Sequence, residues 1–202
     1  RFQMQLDELS EAIDLCGGSV AACGTDMVNR NLLHLYLHIQ NEPAVALLMA
    51  RGGADLIDSP NFHGRLPIFS AAGSAARNVV KATRLTRLLC EAHCSVDWTD
   101  DSGRNILHHV VKRDDLREDR GALNRLSITH LLISRGANPH ECNRRGNSPA
   151  VVAKREGNWL VARYLNGGVV CMASLVGCTA GVQLRLQVLP IVPNATSNST
   201  CE

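Results

Sequence analysis

The chain has 202 residues, with 21 Lys and Arg against 19 Asp and Glu and a net charge of +2. That balance excludes a strong global field for gathering nucleic acid or an anionic membrane. Aromatic residues make up only 3%, which suits helices packed through Leu, Val and Ala around one continuous core.

The first 24 residues contain a helical stretch, Leu6 to Leu15, closed by Gly17-Gly18. Its apolar residues at 6, 9, 12, 13 and 15 roughly fit one helix face. The segment is acidic and has no apolar core region, unlike a secretory signal. The chain begins at Arg1 rather than methionine, so the expectation is a piece of a longer protein with further units before it.

From there a tetrapeptide recurs. Asn31-Leu32-Leu33-His34 returns as Leu66-Pro67-Ile68-Phe69, as Asn105-Ile106-Leu107-His108 and as Ser148-Pro149-Ala150-Val151. The last three follow Gly64-Arg65, Gly103-Arg104 and Gly146-Asn147. Asn31, Asn105 and Ser148 are good helix N-caps, and Pro149 suits a first helical position, where its missing N–H costs nothing. A second signature closes the units: Leu47-Leu48 running to Gly52, Leu88-Leu89 running to His93, and Leu131-Leu132 running to Gly136-Ala137-Asn138. Gly136 supplies the left-handed residue that ends a helix. His93 stands in that place in the second unit and predicts a local irregularity.

Such units resemble the ankyrin repeat, whose marker is T-P-L-H-x-A in a period of 33. The fourth copy is closest at its start (Ser148-Pro149-Ala150-Val151-Val152-Ala153) and the third at its end. The resemblance implies an all-α solenoid of stacked helix-turn-helix units joined by short hairpin-like turns. Its repeats would lie at about 26–60, 61–99, 100–142 and 143–168. Residues 1–24 would be a degenerate repeat acting as a cap, and 169–202 a tail, either a further cap or disordered. The marker spacings here are 35, 39 and 43, which places extensions around 72–83 and 112–124, as enlarged loops or lengthened helices.

Catalytic and metal signatures are absent from the sequence. There is no Gly-rich phosphate loop, nucleophile elbow or recognisable acid pair, so the expectation is a protein that is not an enzyme and holds no cofactor. His34 and His38 are four apart but lack a third ligand. The resemblance instead gives His34 and His108 the role of bridging neighbouring backbone loops. None of the eight cysteines forms Cys-x-x-Cys. They read as reduced thiols of a monomeric cytoplasmic or nuclear protein.

What the resemblance leaves is a binding surface on the turns and the ends of the first helices. Arg30, Arg65 and Arg104 occupy one slot in three successive units. Together with Lys112, Arg113, Arg144, Arg145 and Arg155 they would make a basic stripe that the net charge conceals, suited to an acidic segment of a partner protein. Phe62 and Trp98 are candidate anchors on the turns, Trp98 equally a packing residue, with His63 and Asp101 beside them. Asp100, Asp101 and Glu156 interrupt the stripe, which argues against nucleic acid. Residues 169–184 carry no charge, but Ser, Thr, Gln and two glycines dilute them below the ~20 apolar residues of a membrane helix. The alternative is the regulatory arm of a larger protein, such as a ubiquitin-ligase adaptor or a membrane protein.

Overall fold

The computed structural model describes residues 6–111, 119–168, 171–178 and 181–188. Within them the chain forms helices α1 (Leu6–Leu15), α2 (Leu32–His38), α3 (Glu42–Ala50), α4 (Pro67–Gly73), α5 (Val79–Glu91), α6 (Ile106–Val110), α7 (Asp119–Ser134), α8 (Pro149–Arg155) and α9 (Trp159–Leu165). The first helices of successive pairs are short and begin at the recurring tetrapeptide. Asn31, Asn105 and Ser148 each accept the backbone N–H of the third residue onward. Leu66 cannot cap in that way, and Pro67 opens α4 in its place.

Helices α2, α4, α6 and α8 stack in one row. In the other row α1 packs on α3, α5 on α7 and α7 on α9, and each pair α2–α3, α4–α5, α6–α7 and α8–α9 closes on itself. A single apolar cluster runs between the rows, from Leu9 and Ile13 through Leu33, Leu48, Ile68, Leu89 and Leu107 to Val161 and Leu165. The body is therefore all-helical, as the repeats imply. Helix α1 buries only Leu9 and Ile13, whereas Leu6 and Leu15 stay exposed. Its apolar face is narrower than its sequence suggests.

The extra length of the second unit goes into structure. A short 3-10 turn, Ser74–Ala76, follows α4, and α5 has 13 residues against nine in α3. Gln40 fastens this turn to the first unit through its amide, which donates to the carbonyls of Ser74 and Asn78. In the third unit α7 reaches 16 residues. Residues 112–118 lie outside the described residues, as do Lys112 and Arg113 of the expected stripe. His93 shows no irregularity. It adopts the left-handed conformation itself, at φ 60, accepting a cost of ~1 kcal/mol against glycine.

After α9, strands β1 (Cys171–Cys178) and β2 (Gly181–Val188) pair antiparallel, Leu175 opposite Leu184. Residues 171–178 and 181–188 thus form a two-stranded antiparallel sheet. No helix among the described residues is long and apolar enough to cross a membrane.

Leu107 is fully buried where α6 meets its neighbours. Leu107→Ala should destabilise the protein by roughly 2–5 kcal/mol, the cost of lost transfer energy plus a cavity. Chemical denaturation with an unshifted midpoint would contradict this placement.

Candidate interaction surface

The hairpins before the first helices are built by one device used four times. An Asp or Asn side chain opens each turn and accepts two backbone N–H groups through Oδ1. Asp26 holds Val28 (3.0 Å) and Arg30 (2.8 Å), and Asn61 holds His63 (2.9 Å) and Arg65 (3.2 Å). Asp100 holds Ser102 (2.9 Å) and Arg104 (3.0 Å), and Asn143 holds Arg145 (2.9 Å) and Asn147 (3.2 Å). The same four residues pair their own N–H with the carbonyls of Arg30, Arg65, Arg104 and Asn147.

Backbone hydrogen bonds then link each hairpin to the next. The N–H of Phe62 donates to Val28 O, that of Asp101 to His63 O and that of Arg144 to Ser102 O, at 3.0–3.1 Å. In the second and third turns the left-handed residue is a glycine that lies close to the next hairpin: a Cβ on Gly64 would stand 2.6 Å from Asp101 Oδ1 and 3.1 Å from its N, and one on Gly103 3.0 Å from Arg144 N. Asn29 takes the left-handed position in the first turn.

Histidines add a second tie. His34 Nε2 lies 2.9 Å from the carbonyl of Arg65, and His108 Nε2 lies 2.8 Å from that of Asn147. Neutral rings donate to these carbonyls. Burial pushes both imidazoles below the usual histidine range. Phe69 and Val151 fill the equivalent slot in the other units. His38 faces Arg77 at 2.9 Å rather than a shared site with His34. Among the described residues no group of three or more His, Cys, Asp or Glu is placed to hold a metal.

The arginine row divides on inspection. Arg30 is bound by its own turn, with Nε 2.8 Å and Nη2 2.7 Å from Asp26 Oδ2. Asp26 is held below the usual aspartate range, chiefly by Arg30. Arg65 reaches across to the next hairpin, its Nε 3.2 Å from Asp100 Oδ2. Arg104 is half-buried, and Arg144 and Arg145 are exposed on the last tip. None of these three forms an ion pair with a described residue. Arg155 is exposed and lies 3.9 Å from Glu156.

Asp100 is itself a buried node that motif reading passed over. It is 4% exposed and also receives Nε2–H of His109 at 3.0 Å. Burial alone would raise its carboxyl pKa. The bonds from His109, Arg104 and Ser102 overcome that and hold it well below the usual range. Burial likewise keeps His109 below its usual range, against the pull of Asp100. A neutral imidazole thus serves as the donor. Phe69 meets that ring edge-on at 5.1 Å. The available signal was the doublet His108-His109, of which only the first was assigned a role.

Apolar side chains crowd the other tips. Met27 is 96% exposed and Phe62 67%, on adjacent hairpins. Trp98 packs against the neighbouring hairpin, as one of its two readings expects. Its Nε1–H donates to Gly64 O at 2.7 Å, and 40% of the residue remains exposed. His63 and Asp101 are exposed beside them. One expectation fails among the cysteines. Cys16, Cys23, Cys90 and Cys94 are free, but Cys142 is disulfide-bonded rather than a reduced thiol.

Stacked helix pairs with hairpins linked in this way are compatible with ankyrin repeats, and with a role in binding protein. The chain is similar to the phosphocholine transferase AnkX of Legionella pneumophila, 32% identical over 94 residues. That stretch is 46% of this chain and 9% of AnkX, so the match spans under a tenth of the curated relative. No protein-family model matches the sequence.

The lowered histidines carry a sign for stability. Below the free histidine value of ~6.5 the unfolded chain takes up protons that buried His34, His108 and His109 resist. Stability should therefore be greatest above that value and fall as pH drops through 6 toward 5. Below the free aspartate value of ~3.9 the contribution of Asp100 is lost as well. Thermal melts across this range check it, and His108→Gln should flatten the upper part of the profile. Arg65→Glu should lower the melting temperature at pH 7, since it sets a second carboxylate beside Asp100.

Proposed function

We propose that this chain is an ankyrin-repeat module that binds an extended segment of a partner protein across its hairpin tips. Its units are those at about 26–60, 61–99, 100–142 and 143–168, with residues 1–24 as a cap. The observation that carries the reading is the exposure of Met27 and Phe62 on two tips held in register by the bond from Phe62 N–H to Val28 O. Large apolar side chains on a rigid, hydrogen-bonded frame lose little conformational freedom on binding, so they are effective anchors. Trp98, at the end of the second unit, extends this patch toward the third hairpin, with His63 and Asp101 at its border.

The charge favours one direction for the bound segment. Arg30 and Arg65 are already paired with aspartates, so they contribute little free field. Arg104, Arg144 and Arg145 gather free cationic charge on the third and fourth units, with Arg155 close by in sequence. A segment with apolar residues toward the first two hairpins and acidic residues toward the last fits this arrangement. Lys112 and Arg113 would add to the basic end.

A second reading concerns context. The match covers 9% of AnkX, which supports a repeat arm serving a larger protein. In both readings this chain supplies recognition rather than catalysis.

Affinity capture from cells, with the natural full-length product as bait, tests the proposal. Phe62→Ala and the pair Arg144→Glu, Arg145→Glu should each lose the captured partner while keeping the wild-type melting temperature. A loss of about tenfold in affinity corresponds to ~1.4 kcal/mol, within the range of an interface hot spot. Capture unchanged in both variants would reject this surface.

A further inference from the structure

Four helices of the second row end in the same hydrogen-bonded turn. In each, two backbone N–H groups after the helix return to its last carbonyls. After α1, Gly17 and Gly18 donate to Asp14 O and Ile13 O. After α7, Gly136 and Ala137 donate to Ile133 O and Leu132 O. After α9, Gly167 and Gly168 donate to Tyr164 O and Arg163 O. After α5, His93 and Cys94 donate to Cys90 O and Leu89 O, each at 3.2 Å. The position whose carbonyl accepts the first bond and the residue four further on are Asp14 and Gly18, Ile133 and Ala137, Tyr164 and Gly168. Only after α5 are both of them cysteine.

The turn brings the two thiols together. Cys90 lies at the end of α5 and Cys94 follows it across a single turn, and both face the same cavity. Both are free, and both are mostly buried, at 6% and 8% exposure. They nevertheless line an open cavity of about 540 Å³ with Glu91, His93, Val96 and Arg135. A small solute can therefore reach them from solvent. The neighbouring charges favour an asymmetric pair. The neighbouring Cys94 thiol lowers the Cys90 thiol, burial opposes this, and the Arg135 guanidinium assists it. The neighbouring Cys90 thiol and burial push the Cys94 thiol up.

We propose that Cys90 and Cys94 form an oxidisable dithiol in which Cys90 is the site of attack by a small peroxide and Cys94 closes an intramolecular disulfide. The Cys90 thiolate attacks one peroxide oxygen and the O–O bond breaks, leaving a sulfenic acid and, after proton uptake, an alcohol or water. Cys94 sulfur then attacks the sulfenyl sulfur, the S–O bond breaks, and the second oxygen leaves as water with the Cys94 proton. Two thiols lose two electrons and two protons, and the peroxide is reduced. A disulfide sets its sulfurs ~2.05 Å apart, and the turn after α5 already holds the two cysteines at one end of the helix. The thiolate fraction at Cys90 sets the rate of the first step.

The pair can be read without interference from the other six cysteines. No Lys or Arg lies between Arg87 and Arg104, so trypsin releases residues 88–104 as one peptide holding both thiols and no other. The full chain is treated with excess hydrogen peroxide, alkylated, digested and measured by mass spectrometry without reductant. The expected result is that this peptide loses two hydrogens and both alkylation sites, and that a dithiol reductant restores them. In Cys94→Ala a sulfenic-acid trap should label Cys90, and in Cys90→Ala it should leave Cys94 unlabelled. Circular dichroism confirms that each variant is folded, and the wild-type peptide gives the answer without them. A peptide that keeps both alkylatable thiols after peroxide overturns the proposal, as does trap label on Cys94 in Cys90→Ala.

Discussion

The arrangement rests on one carboxyl or amide oxygen in each hairpin. Oδ1 of Asp26, Asn61, Asp100 and Asn143 gathers two backbone N–H groups that a tight turn would otherwise leave without partners. Once each turn is closed in the same shape, its outer edge presents the N–H and C=O that join it to the next hairpin. Interactions between neighbours then propagate along the chain, in the manner of a one-dimensional stack. The helix pairs can vary in length behind this frame because the frame does not include them. The spacing grows from 35 to 39 to 43 residues, while the hairpin bonds between units stay at 3.0–3.1 Å.

That device also explains why a row of arginines is not a row of free charges. The slot after each turn needs a backbone N–H and a carbonyl, and any side chain there satisfies the turn. Whether its guanidinium is neutralised depends on which turns open with Asp rather than Asn. Two carboxylates, Asp26 and Asp100, serve three arginines. Arg30 takes the first. Asn61 offers Arg65 no charge, so Arg65 crosses to Asp100, which His109 already occupies. Arg104 is left without an ion pair among the described residues, even though Asp100 opens its own turn. The resulting field is uneven along the stack, neutral at its start and cationic at its end.

Much of this was legible in the sequence, for local reasons. Helix α1 spans the residues its pattern predicts, and the caps Asn31, Asn105 and Ser148 act where they stand, since capping depends on three neighbouring residues. What escaped depended on distance or on period. Pairing of Arg65 with Asp100 joins residues 35 apart, which no local pattern announces. The strands after α9 follow a readable pattern. Val182, Leu184, Leu186 and Val188 alternate with Gln183, Arg185 and Gln187, the period of two that marks a strand. The lengthened α5 takes one of the two forms that the spacing allowed, since polar Lys81, Thr83 and Arg84 suit a loop or the exposed side of a helix equally.

The second and third units are joined by chemistry of a different kind from the rest. On the hairpin side stands Asp100, buried between Arg65 of one unit and His109 of the next. On the side of the second helices stand Cys90 and Cys94, in a cavity that Arg135 of the third unit helps to line. Elsewhere the units meet mainly through apolar contacts, backbone bonds and the histidine ties of His34 and His108, of which only the histidines respond to protons. A stack whose stability sums over neighbouring interfaces is weakened wherever one interface is weakened. Oxidation of Cys90 and Cys94 would therefore act at this junction, between the apolar tips of Met27 and Phe62 on one side and the free arginines of the last hairpin on the other, whereas acid would also reach the ties of His34 and His108 at the neighbouring junctions. A partner segment spanning both ends would register such a change as an altered spacing between its two halves. The helices themselves need not unfold for this to happen.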